Sequence, residues 1–325
     1  MKSLVNRLFW AVCRFLLSFR YRVKVTGAEA LQGLKGPTLV LPNHPAYIDP
    51  PLVSSHIRLH KRLRPMVFAG TARIAMMRPL MAMVDAFEVP DLSAHSRDAQ
   101  AKTREMIDAV VARLAAGDCM LIYPSGRLQR GNQEVVGAAR AVHDIISRSP
   151  NVNIVLLRTR GVWGSMYSCA EAGTTPNLGR CVRKSFGWVL ASLFFFLPRR
   201  QVTMQVEVID RAKLPLDSRE QFNAFLESWY NADGSQEPKF VRYHHLFGPS
   251  QGNYGNVLTN VDYDLEKIKP KTIGLVNELI QSHLGRQIPP EQLQPHTTLE
   301  QIGLDSLDRM DLALKIEQQF GFRSN

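Results

Sequence analysis

Residues 37–51 read PTLVLPNHPAYIDPP, and this segment predicts both a buried strand and a functional loop. The apolar run at its start lies between Pro37 and Pro42, which is typical of a short buried strand. A histidine and an aspartate follow five positions apart, and each precedes a proline that favours a turn. In such a turn the carboxylate of Asp49 would hold one ring nitrogen of His44, and the other nitrogen could take a proton from an alcohol. The spacing is equally compatible with a loop histidine that makes only a local hydrogen bond.

A second loop, about 80 residues further along the chain, carries several cations. A short apolar strand predicted over Cys119–Tyr123 leads into a turn that contains proline and glycine. Free backbone N–H groups and guanidinium groups in such a turn suit a phosphate or an oxyanion. We therefore select Ser125, Gly126, Arg127 and Arg130 as a candidate acceptor- or phosphate-binding set. The alternative is that the two arginines are ordinary solvated loop residues.

Strands and helices alternate along the first two thirds of the chain, which predicts an α/β architecture. Short apolar runs predict the strands, and apolar residues at helical spacing predict the helices. Beyond the two loops, the predicted strands are Val23–Thr26, Val152–Arg158 and Val202–Val208, and the predicted helices are 97–116 and 134–148.

Taken together, the two loops resemble the signatures of the glycerolipid (lysophospholipid) acyltransferase family over about residues 20–210. The first family signature, NHxxxxD, is matched by residues 43–49, and the third, FPEGTRS, corresponds to the second loop. This resemblance implies a mixed sheet flanked by helices. It also implies that His44 is the general base, that Asp49 orients it, and that an alcohol attacks an acyl thioester directly. The implied donor is acyl-CoA or acyl-ACP, and the implied acceptor is a lysophospholipid or a glycerol-phosphate-type molecule.

The sequence departs from the family pattern in the regions that usually hold a glycerol-phosphate acceptor. Ser125 stands where the third signature has glutamate, and Arg127 stands where it has threonine. The second signature, expected near residues 85–91, lacks its arginine. Arg127 and Arg130 are candidates to supply the missing positive charge. Two alternatives to an acyltransferase therefore stay open: a non-catalytic module that binds lipid or an acyl carrier, and a thioester hydrolase that uses water.

The C-terminal segment resembles a different family, the acyl carrier proteins. Residues 272–285 and 306–320 are predicted as two amphipathic helices, and the DSL turn at 305–307 begins the second. The resemblance implies that Ser306 carries 4′-phosphopantetheine, at a helix N-terminus that favours a phosphodiester; an ordinary N-cap serine is the alternative. Because the chain stops at Asn325, after two of the four helices of that family, we expect a partial carrier domain. Related chains continue into an acyl-activating ligase, which is an expected partner.

Charge and composition favour a membrane surface as the partner. With 45% hydrophobic residues the chain can bury a core, so wholesale disorder is excluded. The net charge is +11, although the segment from Lys271 onward holds five basic and seven acidic residues. A basic surface attracts nucleic acid or anionic lipid. Since the basic residues flank apolar runs and form no aromatic-interleaved face, we expect membrane phospholipid and no nucleic acid.

Two apolar segments are candidates for membrane contact, although neither reaches the roughly 20 residues of a spanning helix. Residues 2–20 predict an apolar helix with a narrow basic stripe, suited to the bilayer interface. Residues 186–197 predict either a buried helix or a membrane-dipping one. We expect a peripheral or monotopic protein at the cytoplasmic face of a membrane.

The remaining expectations concern domains and metals. The predicted domains are a membrane-interface helix (1–22), an acyltransferase domain (23–235), a linker (236–269) and the partial carrier domain (270–325). The four cysteines have no CxxC and no disulfide-like spacing, so we expect reduced thiols and no metal.

Overall fold

The structure is a computed structural model of the 325-residue chain. It describes residues 2–68, 81, 84–89, 98–171, 174–193, 197–252, 254, 270–284, 287–289, 297–299, 301–304, 308, 309 and 312. The predicted second carrier helix, 306–320, and its serine, Ser306, lie largely outside these residues.

Within this part of the chain, strands and helices alternate as predicted. The strands are β1 (Tyr21–Thr26), β2 (Thr38–Pro42), β3 (Leu63–Phe68), β4 (Phe87–Val89), β5 (Cys119–Leu121), β6 (Asn153–Arg160) and β7 (Arg200–Ile209). The helices are α1 (Lys2–Ser18), α2 (Asp49–His56), α3 (Asp98–Ala115), α4 (Ala141–Ser147), α5 (Leu178–Ala191), α6 (Arg219–Tyr230) and α7 (Pro270–Leu284).

The strands form one mixed sheet in the order β1-β7-β6-β2-β5-β3-β4, so the predicted fold class is confirmed. Neighbouring strands are parallel at every step except β6–β7. Strand β2 lies at the centre, where all five of its residues are buried. Because its side chains alternate between faces, Leu39 and Leu41 join the core under α3, α4 and α6, while Val40 joins the core on the side of α2. A strand covered on both faces gives a fixed starting point to the loop that follows it.

The helix predicted over 134–148 is wrong in its first half, because only Ala141–Ser147 is helical. Residues 134–140 form a loop whose backbone N–H groups bond to side chains of α6 and the residue after it. Glu227 accepts from Val136 and from Gly137 (2.7 Å each), and Asn231 accepts from the N–H of Glu134 (3.0 Å). Since these amides already have side-chain partners, they do not need an intrahelical bond.

Strand β5 also ends two residues before the predicted Tyr123.

The apolar segment 186–197 belongs to a helix that begins earlier than the segment itself. Helix α5 starts at Leu178, where Asn177 caps it through a hydrogen bond from Arg180 N–H, and it ends at Ala191. Phe186 is 63% exposed and Leu190 48%, so the alternative of a buried helix is wrong for this segment. None of the helices in the described ranges is long and apolar enough to cross a bilayer.

The carrier segment has a small core of its own and contacts the acyltransferase part of the chain. Ile280 of α7 packs with four other buried residues: Ile288, Ile302, Leu304 and Leu312. The guanidinium of Arg140 donates to the carboxylate of Asp308 at 3.2 Å, and Arg219 donates to the carbonyl of Gly303 at 3.3 Å.

Arg200, at the start of β7, joins three chain segments. It is 1% exposed, and its guanidinium donates to the carbonyls of Gly161 (2.8 Å), Gly164 (3.1 Å) and Lys239 (2.8 Å). The first part of the predicted linker is therefore held on the acyltransferase sheet.

Replacing Arg200 with methionine should lower the free energy of unfolding by about 3 kcal/mol, because buried carbonyls would lose their charged donor. Urea unfolding of the two proteins measures the difference. The matched control is Arg199→Met, at the neighbouring exposed position, which should change stability by less than about 0.5 kcal/mol. Equal stability of the Arg200→Met protein and the wild type would contradict this assignment.

Candidate active site

The loop after β2 is fixed by a side chain that continues the sheet. The ladder with β6 passes Pro42, because the backbone N–H of Asn43 donates to the carbonyl of Leu157 at 3.2 Å. Asn43, 5% exposed, continues it: its side-chain amide donates to the carbonyl of Thr159 (3.0 Å), and its side-chain oxygen accepts from the N–H of Thr159 (2.7 Å). The residue immediately after Asn43 is His44, whose main chain therefore leaves a rigid strand end.

The structure brings His44 and Asp49 together as the sequence predicts. The Nδ1 atom of His44 lies 3.3 Å from Oδ2 of Asp49, and the same oxygen accepts the N–H of Ala46 at 2.8 Å. Asp49 is the first residue of α2 and is fully buried. Burial raises the pKa of Asp49, while the hydrogen bond and charge of His44 and the hydrogen bond from Ala46 act against the rise. The pair thus leaves Nε2 as the ring nitrogen that can take a proton.

Two aromatic rings enclose the imidazole. It stacks on Tyr123, with ring centroids 3.9 Å apart and planes inclined by 25°, and it meets Tyr47 edge-on at 6.5 Å. The His44 side chain is 13% exposed, so it remains accessible to a substrate. The stacking partner belongs to the second predicted loop, which shows that the two loops form one site.

Three of the four predicted residues of the second loop, Ser125, Arg127 and Arg130, line a cavity of about 760 Å³. Gly126 adopts φ +63°, in the left-handed region that favours glycine, and donates its N–H to the carbonyl of Tyr123 at 3.0 Å. The Ser125 hydroxyl donates to the carbonyl of Arg127 at 3.0 Å. The cavity is lined by Ser125, Arg127, Arg130, Glu134, Trp163 and Tyr254, among others. Arg130 is exposed, whereas Arg127 is half-buried.

Sequence reasoning missed Glu134, which the structure places beside the base. Its carboxylate accepts the backbone N–H of His44 at 3.1 Å, and Glu134 is 3% exposed. Burial raises the pKa of Glu134 to about 7; the charge of Asp49 acts in the same direction, and hydrogen bonds from Ser125 and His44 and the charge of Arg127 oppose it. The prediction of a helix from residue 134 hid this role. A usable signal in the sequence was Ser125, which stands where the third family signature has glutamate and leaves the need for an acidic residue from elsewhere.

Comparisons with known proteins agree with this geometry. Residues 22–157 match the family model described as Acyltransferase, and residues 275–323 match the model described as Phosphopantetheine attachment site. The chain contains an acyltransferase domain. It carries a phosphopantetheine-attachment domain after its acyltransferase domain, so both resemblances drawn from the sequence are confirmed. No curated protein matches the sequence significantly.

One solved structure with partial similarity is the 1-acyl-sn-glycerophosphate (LPA) acyltransferase PlsC from Thermotoga maritima. The two chains are 12% identical, and the superposition has a TM-score of 0.44. It covers 71% of this chain and 78% of PlsC. The family model ends at residue 157, inside β6. Some of the residues that hold the site in place, such as Thr159, therefore lie beyond the matched range.

Proposed function

We propose that this acyltransferase moves a fatty acyl group from an acyl thioester to a hydroxyl group of a lysophospholipid or glycerol-phosphate-type acceptor, with His44 as the general base. The observation that carries the proposal is the pairing of His44 with the buried carboxylate of Asp49 at 3.3 Å. A buried carboxylate on Nδ1 fixes the tautomer of the ring and stabilises the imidazolium that forms when Nε2 takes a proton.

The reaction then proceeds by direct transfer. Nε2 of His44 takes the proton of the acceptor hydroxyl while its oxygen attacks the thioester carbonyl carbon, and a C–O bond forms. The C–S bond breaks, and the leaving thiolate receives the proton from the imidazolium. The products are an ester and a free thiol, and no covalent bond to the protein is made. General-base assistance of this kind contributes roughly 10²–10⁴ in rate.

The charge of the second loop supports an anionic acceptor. Arg127 and Arg130 line the cavity together with Ser125, and guanidinium groups bind phosphate through paired N–H donors. The cavity is linked to His44 through Glu134, which lines it and accepts the backbone N–H of His44 at 3.1 Å. A phosphate held there would place the neighbouring hydroxyl of the acceptor on the side of the base.

The base is tested by changing each member of the pair. His44→Ala should reduce acyl transfer roughly 10²–10⁴-fold, and Asp49→Asn should cause an equal or smaller loss through misorientation of the ring. The assay incubates the protein with acyl-CoA and a panel of lysophospholipids, and lipid mass spectrometry measures the product. A matched control is His143→Ala, which removes another histidine that pairs with an aspartate, Asp144, at 3.4 Å. Wild-type turnover by His44→Ala would exclude the mechanism.

An exposed apolar surface supports action at a membrane. The end of α1 is tied to the segment around Tyr243, because Arg20 lies 4.7 Å from that ring and donates to the carbonyl of Val241 at 2.9 Å. Tyr243 stacks on Trp188 of α5, so the two helices flank one segment. Exposed apolar side chains on these elements are Leu8, Val12, Phe15, Leu16, Phe186, Leu190, Leu193, Leu246 and Phe247. Exposed Arg7, Arg14, Arg180, Arg183 and Lys184 accompany them.

We propose that this apolar and basic surface rests on anionic phospholipid at the cytoplasmic face of a membrane. Changing Leu8, Phe15 and Phe186 to serine together should weaken partition to phosphatidylglycerol vesicles by roughly 100-fold or more, because three apolar side chains no longer enter the bilayer. Sedimentation with vesicles measures it, and added salt should weaken wild-type binding further. Val135→Ser, exposed on another surface, is the control. Unchanged vesicle binding by the triple variant would disprove this surface.

We also propose Ser306 as the attachment residue, because it lies in the DSL turn within the matched range 275–323. Attached 4′-phosphopantetheine would supply a thiol that carries an acyl group as a thioester. Incubation with CoA and a phosphopantetheinyl transferase should add the mass of one such group, as intact-mass spectrometry measures. Ser306→Ala should abolish the gain and Ser282→Ala, an exposed serine on α7, should keep it. A mass gain that persists in Ser306→Ala would place the group elsewhere.

A further inference from the structure

The strongest unexplained feature of the site is a second buried carboxylate that contacts His44, that of Glu134. Asp49 contacts the imidazole ring, whereas Glu134 contacts the main chain of the same residue through its N–H at 3.1 Å. The carbonyl of His44 in turn accepts the N–H of Gln129 at 2.8 Å. Both backbone polar groups of the base are therefore held by one loop, residues 125–134.

The position of Glu134 is itself fixed from a distant part of the chain. Asn231, which follows α6, accepts the N–H of Glu134 at 3.0 Å and donates its side-chain amide to the carbonyl of Glu134 at 2.8 Å. Tyr230, the residue before it, donates its hydroxyl to the carbonyl of Leu41 in β2 at 2.9 Å. The end of α6 thus holds the strand that delivers His44 and the loop that delivers Glu134, which keeps their distance constant.

We propose that Glu134 is a positioning residue of the acyl-transfer site: its carboxylate holds the His44 main chain, and it supplies the negative charge that the second loop lacks at position 125. This inference rests on the proposed role of His44 as the base. It assigns to the site an acidic residue outside the family signatures, and one that reaches His44 through the main chain.

The charge of Glu134 should matter as well as its hydrogen bonds. The groups that face this carboxylate are His44 and Asp49 from the first loop and α2, Tyr123 and Arg127 from the second loop, and Tyr230 from α6. Burial, as the largest cause, raises the pKa of Glu134 to about 7. Above that pH the ionised carboxylate accepts the hydrogen bond from the His44 N–H. It also stabilises the imidazolium that forms in the transition state, because charges interact strongly in a buried site.

The matched variant is Glu134→Gln, which keeps an acceptor for the His44 N–H and removes the charge. We expect kcat to fall about tenfold at pH 8 with KM nearly unchanged, and the ratio of wild-type to variant kcat to rise about fivefold between pH 6 and pH 8. Glu134→Ala, which also removes the acceptor, should lose roughly 10² in kcat. The assay uses acyl-CoA with the lysophospholipid that the panel above identifies.

The control is Glu227→Gln, because Glu227 also holds backbone amides of this loop, those of Val136 and Gly137, without contacting His44. It should lower thermal stability and leave a kcat ratio that does not change with pH. In a His44→Ala background, Glu134→Gln should cause little further loss, since residues that act through one another are not additive.

A pH-independent kcat ratio for Glu134→Gln, or the same fold loss with and without His44, would overturn the positioning role. Those results would leave the proposed function intact as long as His44→Ala is inactive. Full activity of His44→Ala would instead disprove the proposed function itself. The failure of the positioning role and the failure of the proposed function are therefore distinguishable.

Discussion

The site depends on the pairing of β2 with β6 at the centre of the sheet. The ladder fixes β2 along its whole length, from Thr38 opposite Asn153 to Pro42 opposite Leu157. Directly after Pro42, the N–H of Asn43 donates to the carbonyl of Leu157, and the Asn43 side chain exchanges two hydrogen bonds with Thr159. Because a five-residue strand buried on both faces cannot shift register without moving its side chains to the wrong core, His44 starts from a defined point.

The second determinant of the site is the end of α6. Tyr230 and Asn231 are adjacent in sequence, yet one bonds to β2 and the other to the loop that carries Glu134. Buried hydrogen bonds of this kind are costly to break, because the freed groups have no water to replace their partners. The C-terminal part of the acyltransferase fold, beyond the residues that the family model matches, therefore has a direct part in the geometry around the base.

The molecule separates three kinds of surface around this site. The exposed apolar side chains of α1 and α5 flank the segment that contains Tyr243 and Leu246. The cavity with Arg127 and Arg130 is also lined by Glu134, whose carboxylate contacts the main chain of His44. The carrier segment meets the acyltransferase domain through Arg140 and Arg219. The proposed transfer of an acyl chain to a membrane lipid would use these surfaces for the donor, the acceptor and the lipid.

The sequence by itself determined the elements whose signal is local. The α/β class, the strand before His44, the His44–Asp49 pair and the helix 98–115 all follow from spacing, turn residues and short apolar runs. Only the tertiary structure decided the positions that depend on contacts between distant residues. Residues 134–140 have helical spacing, but Glu227 and Asn231, about 90 residues later, satisfy their amides and leave a loop. Likewise, the exposure of Phe186 and the burial of Glu134 beside His44 depend on which surfaces pack together. The local sequence around each residue does not determine that packing.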